Sequence, residues 1–496
     1  MSRFRYLLAT AFLTLLAWPG AAAANHNQDQ HSLNMDLLWS LPEAPSRTHS
    51  DVAIWGNIGV AGNYDGFRIF NVTTGALIVN FPCRGPQNDV SLWEHNGRLL
   101  LFMSVDSPQT NGRLYCSPVR TSDTTACGPA CFEGIRIFDI TTATEPQPVS
   151  NPYYIKGVYT DCGSHTHTLV PDLDDNRVLL YISSAPGSSG PNCQSPHNKI
   201  SIVEVPLNAP ENASVIAQPV IEGQPYGSVR GCHDITVFPA INKAAAACQS
   251  EGQLWDITNP AAPVTTGPTV RHIDDATLNY WHSSAFTWDG QYVVYMDESF
   301  TGRCAPTHDG KIRIYRVADG QLMSTYMIPR NQGSAYCSVH NGNIIPVSDR
   351  YLLVAAWYAG GTSVIDFTNP SAPVEVGYYD AIEGRGPADT WSSYWYNGKI
   401  YANDIVRGVD AFQFSPVPQG LTWNHLNAQT QMGNTLPPPP IGSVTPVARL
   451  IAPPFINAQP GPGGFRPARA FWSRATATAR GRGWLSRSHA RASKRR

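Results

Sequence analysis

The chain has 496 residues, with 35 Lys and Arg against 37 Asp and Glu and a formal net charge of −2. That balance hides a division: residues 418–496 carry 11 Lys and Arg and no acid, while the body between them and the presequence holds 22 basic side chains against 37 acidic ones. An acidic body argues against nucleic acid as the partner, and no later apolar run approaches the ~20 residues of a transmembrane helix.

In chain order, Arg3 and Arg5 precede an apolar run from Tyr6 to Trp18, then Pro19-Gly20 and the small residues Ala21 to Ala24. This pattern predicts a secretory signal peptide over residues 1–24 and a secreted or periplasmic location. The ten cysteines fit an oxidising compartment and read as disulfides. None forms a Cys-x-x-Cys pair, so a zinc cluster or redox motif is a poor reading.

A phrase then recurs along the chain: a β-rich run, an often acidic residue and a turn. Its seven copies contain Phe67-Arg68-Ile69-Phe70, Ile135-Arg136-Ile137-Phe138, Ile200-Ser201-Ile202-Val203, Gln253-Leu254-Trp255-Asp256, Ile312-Arg313-Ile314-Tyr315, Ser363-Val364-Ile365-Asp366 and Val409-Asp410-Ala411-Phe412. Alternation and β-branched residues mark each as a strand, and a spacing of roughly 50 to 70 residues suits one propeller blade plus insertions. Two strands precede each copy. The first opens on a polar residue, as at Asp51, Asp89, His167 and Asp234, and the second is strongly apolar, as at Leu99–Met103 and Val178–Ile182. A fourth, outer strand is expected after the turn, for example at Ala262–Thr266 or Val374–Tyr378.

The last unit lacks an outer strand, while Met35–Leu41 precedes the first unit and belongs to no other. The expected fold is therefore an all-β, seven-bladed β-propeller over residues 35–416, closed by an N-terminal strand that removes exposed sheet edges. Residues 417–496 contain Pro437–Pro440, a Pro/Gly stretch and an Arg/Ser/Ala end, without core-forming periodicity. They read as a disordered Pro-rich and basic tail, suited to an anionic surface such as an envelope polymer or membrane.

Several phrases resemble the exported LVIVD-repeat proteins: Cys162-Gly163-Ser164-His165-Thr166-His167, Gly231-Cys232-His233-Asp234, Trp281-His282-Ser283-Ser284, and the turns Asp256-Ile257-Thr258-Asn259-Pro260 and Asp366-Phe367-Thr368-Asn369-Pro370. The resemblance spans roughly Met35 to Phe414 and implies a propeller; it implies no particular activity. A lesser similarity, at Asp349–Val354 followed by Asp366–Pro370, is to the selenium-binding propellers, which include copper-dependent methanethiol oxidases.

Histidines gather at one structural position. His165 and His167, His233, His282 and His340 open the first strands of four successive units, so residues distant in sequence converge at one channel mouth. A His-x-His pair on one strand would face the same way, and imidazoles favour zinc, copper, iron or nickel. The expectation is one transition-metal ion, copper or zinc before iron, among His165, His167, His233, His282 and His340. Asp297, Glu298 and Asp404 end second strands at the same mouth and are candidate general bases or partners of the histidines. Aromatics nearby (Tyr280, Trp281, Trp357, Tyr358, Trp391, Tyr394) either wall a pocket or fill the core between blades.

No Gly-x-Ser-x-Gly, phosphate loop or dinucleotide fingerprint is present, which disfavours serine hydrolases and nucleotide enzymes. Two readings stay open: a metal-dependent enzyme acting on a small extracellular molecule, and a binding module for a protein or glycan with structural histidines. Fold does not choose between them.

Overall fold

The computed structural model describes residues 30–431 apart from 43–47, 111–130, 143–151, 185–196, 224–230, 305–308, 382–386, 419–426 and the single positions 276, 279, 301, 331, 334, 348 and 428. The presequence, most of the basic tail and Cys116, Cys127 and Cys193 lie outside them.

The described residues form strands and short 3-10 turns, with no α-helix. Five sheets have four strands each, and a sixth has nine, in which two antiparallel meanders are joined by a short parallel pairing at Asn341↔Ser392 and Gly342↔Ser393. The repeated phrase is the third strand of its meander throughout, as in Gly66–Asn71, Ser201–Pro206, Thr362–Asp366 and Gly408–Phe414. The first strands of the sheets pack beside one another in chain order, and Thr390–Tyr396 packs against His49–Trp55, so the innermost strands surround a channel. This is a β-propeller.

Burial follows from that stacking. Inner strands have a neighbouring blade on each face, so His49–Trp55 and Leu352–Ala356 are buried at every position. Outer strands such as Leu77–Pro82 and Ser214–Ala217 face solvent on one side and are only partly buried. Large rings fill the space between sheets, among them Trp255, Trp281, Trp357 and Tyr181.

The acidic residue of the repeated phrase has a local function. Its side chain accepts the backbone N–H two residues on: Asp139 from Thr141 at 3.0 Å, Asp256 from Thr258 at 2.8 Å and Asp366 from Thr368 at 2.9 Å. Such Asx turns end the third strand and start the next connection.

Met35–Leu41 pairs antiparallel with Gly408–Phe414, from Met35↔Phe414 to Leu41↔Val409, as its position in the sequence predicts. Gln30–His31 adds a further short strand beside Val374–Asp380. One expected outer strand moves. Across Ala262–Thr266 only Val264 bridges Asp256, because the Asn-Pro turn and Pro263 break the run, and the outer strand forms later at Arg271–Ile273.

Cys232 pairs with Cys248 within one blade, and Cys304 with Cys337 across two. Both bridges join the approach to a first strand with the end of a second strand or the loop after it, so they brace the channel mouth. Each such bridge contributes about 2–4 kcal/mol.

The reading of everything after residue 416 as disordered needs correction at 427–431. Val237 N–H donates to Gln429 O (2.8 Å), Gln431 N–H to Val237 O (3.0 Å), and Asn427 Nδ2 to His167 O (2.7 Å). This short polar segment lacks periodicity, yet it runs parallel to Ile235–Phe238 and satisfies backbone groups that the inner strands turn toward the channel.

Candidate metal centre

Three histidines share one backbone position. The N–H groups of His165, His233 and His340 donate to Ser183 O, Ala247 O and Ala356 O, the carbonyls at the end of, or just past, the second strand of each blade. His282 arrives differently: it is the extra residue where pairing shifts between Trp281↔Asp297 and Ser283↔Met296. A bulge of this kind re-aims a side chain, and Trp391 uses the same device between Thr390 and Ser392. His165 depends on the turn before it. Cys162 and Gly163 have φ of 64° and 71°, and a Cβ at Gly163 would lie 2.3 Å from the Asp106 backbone oxygen. Only glycine lets the loop rest on the residue that partners His165.

The four rings form an arc. Centroids lie 4.5 Å apart for His165 and His233, 3.9 Å for His233 and His282, and 4.1 Å for His282 and His340. Trp391 and Tyr358 flank His340 at 4.6 and 4.9 Å, and Tyr280 flanks His233 at 5.7 Å.

The hydrogen bonds fix the tautomers of the first pair. His165 Nδ1 lies 3.1 Å from Asp106 Oδ1, and His233 Nδ1 lies 3.0 Å from Asp234 Oδ1. Ionised carboxylates only accept, so each Nδ1 carries the proton. The two Nε2 atoms then face each other at 2.8 Å, a contact met either by a proton on one of them, which the raised pKa of His165 favours, or by a cation between them. Two nitrogens on one tetrahedral ion at ~2.0–2.1 Å sit roughly 3.3 Å apart, a small side-chain adjustment away.

His282 and Glu298 extend the set. Neither ring nitrogen of His282 has a hydrogen-bond partner although the side chain is buried, and its Nε2 is 3.6 Å from Glu298 Oε2. Donor atoms of His233, His282 and Glu298 all lie within 4.8 Å of one another. Glu298 Oε1 accepts from Tyr358 Oη (2.7 Å) and Tyr336 Oη (3.5 Å), leaving Oε2 toward the histidines.

Electrostatics separate these groups. Burial, then the neighbouring imidazoles, holds His282 well below the ordinary histidine range. Burial lowers His340 to about 3 and raises Glu298 to about 7. Burial also opposes charge on His165, but the Asp106 carboxylate outweighs it and raises its pKa.

Of the expected metal residues, the structure brings His165, His233, His282 and His340 together and leaves out His167. Its Nε2 and Nδ1 are 2.6 Å from Ser91 Oγ and 2.9 Å from Ser104 Oγ, wholly buried between blades. The strand begins at Thr166, so His165 precedes it and strand alternation does not put the two rings on one face. Among the acidic candidates only Glu298 joins the cluster. Asp297 accepts N–H groups of Tyr280 (2.9 Å) and Gly310 (3.3 Å). Asp404 accepts from the N–H groups of Asp389 (2.7 Å) and Arg407 (3.0 Å) and from Thr390 Oγ1 (3.1 Å), which ties its blade's loops together. Asp106 escaped the sequence reading; it lies inside the long second strand Arg98–Thr110 of its blade, where pairing is irregular between Val105 and Gln109. Trp281 and Trp357 are core; Tyr280, Tyr358 and Trp391 reach the site.

No known protein family matches the chain, and no curated protein does. Solved structures similar to it include the β-propeller domain of Cps50 (Swd1) from Myceliophteria thermophila, at 10% identity and TM-score 0.46, covering 76% of this chain and 99% of that one. Others are the computationally designed protein Ika8 (11%, TM-score 0.40, 76% and 99%) and hydrazine synthase from Kuenenia stuttgartiensis (11%, TM-score 0.47, 74% and 95%). At these identities and scores nothing about ligand or activity transfers.

Proposed function

We propose that the chain is an exported, seven-bladed propeller of the LVIVD-repeat type whose channel mouth holds one transition-metal ion on His165, His233, His282 and Glu298, with His340 beside them. The observation that carries this reading is the facing pair of Nε2 atoms at 2.8 Å, each ring backed by a carboxylate on Nδ1. A carboxylate behind each imidazole is the usual support of a metal-bound histidine. Imidazole with one carboxylate suits copper or zinc, then iron.

Such an ion would supply Lewis-acid or redox chemistry to a small extracellular molecule entering the mouth. The chain's own part is to orient that molecule between Tyr280 and Trp391, with Glu298 steadied as a ligand by the hydroxyls of Tyr358 and Tyr336. Export is supported by the signal-like presequence and the two described disulfides. Among the described residues no helix is long and apolar enough to cross a membrane. The basic tail serves as an electrostatic anchor to an anionic surface.

Metal analysis of protein purified without a histidine tag tests the site. The expected result is about one equivalent of copper, zinc or iron per chain, lost in His233→Ala/His282→Ala with the fold intact by circular dichroism. Equal metal in wild type and double variant would leave the binding-module reading in its place.

A further inference from the structure

The channel holds a second donor set of a different kind. Asp51 Oδ1 accepts from Tyr394 Oη (2.7 Å), but its Oδ2 has no hydrogen-bond partner. Asp89 Oδ2 accepts the His167 N–H (2.8 Å), and its Oδ1 likewise has none. The side-chain carbonyl oxygens of Asn341 and Gln429 are also unpartnered. Gln429 Nε2 donates to Asp234 Oδ2 (3.1 Å), which fixes its amide with the oxygen free. These residues are 2%, 4%, 5% and 2% exposed, in the order Asp51, Asp89, Asn341 and Gln429, and all border one cavity whose other wall includes His233, His340 and Trp391.

Four buried oxygens without donors are a standing cost, since an unsatisfied buried acceptor destabilises by about 1–3 kcal/mol and a carboxylate by more. Burial, then the charge of Asp89, pushes Asp51 well above the carboxylate range, and burial raises Asp89 to about 7. One shared proton would relieve the two acids. It would do nothing for the amide oxygens of Asn341 and Gln429, whereas a cation in the cavity they share would draw on both residue types. Each carboxylate also has one oxygen anchored by the protein and one left over, which preorganises it for a ligand.

We propose that Asp51, Asp89, Asn341 and Gln429 form a second cation site, adjoining the histidine cluster across one cavity, for a hard divalent ion, calcium. An all-oxygen set of carboxylates and neutral carbonyls with irregular geometry fits calcium better than magnesium, which demands an octahedron, or than metals that seek nitrogen. Asp51 and Asn341 stand on inner strands, Asp89 directly precedes one, and Gln429 comes from beyond the last strand. The ion therefore pins residues 427–431 into the ring. The proposal does not rest on the transition-metal site.

The test uses full-length metal-stripped protein, titrated with Ca²⁺ by calorimetry and with Tb³⁺ by luminescence. The expected result is one Ca²⁺ per chain with a rise in Tm. Asp89→Asn should weaken binding about tenfold or more, since affinity tracks ligand charge, and Gln429→Ala should weaken it by a smaller factor. His282→Ala, whose ring does not border that cavity, should leave it unchanged. Wild-type protein that takes up no Ca²⁺ at millimolar concentration would overturn the proposal, with a shared proton or water then filling the cavity. So would Asp51→Asn and Asp89→Asn variants that bind Ca²⁺ as tightly as wild type.

Discussion

Two donor sets meet at the channel mouth from successive backbone positions, and they differ in kind. On one side, His165, His233, His282 and His340 bring imidazole nitrogens into an arc, with carboxylates behind the first two rings. On the other, Asp51 and Asp89 present carboxylate oxygens, each with one atom held and one free. The same backbone scaffold thus sorts donors by type around a ring. Nitrogen donors take one position and oxygen donors the next, as His340 and Asn341 do in one blade, and the lesson is that a propeller can place both donor types side by side without changing its strands.

The largest expected effect is on the nitrogen side alone. His282→Ala should remove most of the transition-metal affinity while the response to Ca²⁺ survives; loss of both together would merge the two donor sets into one site. Next, Asp106→Asn and Asp234→Asn should each lower transition-metal affinity roughly 10–100-fold, the usual cost of removing a histidine's supporting carboxylate. Competition with a chromophoric chelator measures this, and an unchanged affinity in Asp106→Asn would detach His165 from the site. A smaller effect is expected at His167, which belongs to neither side. His167→Ala leaves Ser91 without its partner and Ser104 with Ser164 alone, so denaturant unfolding should show a loss of about 1–3 kcal/mol with metal stoichiometry unchanged.

The pH dependence of metal-free protein separates the sides by sign. His340 has a folded pKa of about 3 against an unfolded value of ~6.5. The unfolded chain therefore binds a proton that the native state refuses, and stability falls as pH drops from 6.5 toward 3. Asp89 has a folded pKa of about 7 against ~3.9 unfolded. Its native state holds a proton that the unfolded chain releases, so its contribution falls as pH rises from 4 toward 7. Urea unfolding across pH 4–7 should show His340→Asn flattening the acid limb and Asp89→Asn the neutral one. Identical profiles for the two variants would remove the distinction.

Much of this was legible before any coordinates. The recurring phrase ending in Asp-x-Thr marks a third strand because its acid closes an Asx turn, as at Asp139, Asp256 and Asp366. The orphan run Met35–Leu41 finds its partner in Gly408–Phe414 because each is an edge the other covers. The histidine arc followed from strand position. Other features escaped for local reasons. His167 was misplaced because the period-two rule starts only where the strand does, at Thr166. Glu298 and Asp297 are neighbours with opposite fates, set by which side of the strand end each leaves from. Residues 427–431 carry no hydrophobic pattern, since they are held by backbone and amide hydrogen bonds to the channel wall.

The central claim is that the facing nitrogens of His165 and His233 share a metal ion with His282 and Glu298. The most direct measurement is an anomalous-difference map from crystals of untagged protein, collected on both sides of the copper, zinc and iron absorption edges. The account predicts one strong peak within about 2.0–2.2 Å of those Nε2 atoms and of Glu298. A map with no peak there, in protein shown to be fully folded and exposed to these metals, would contradict it.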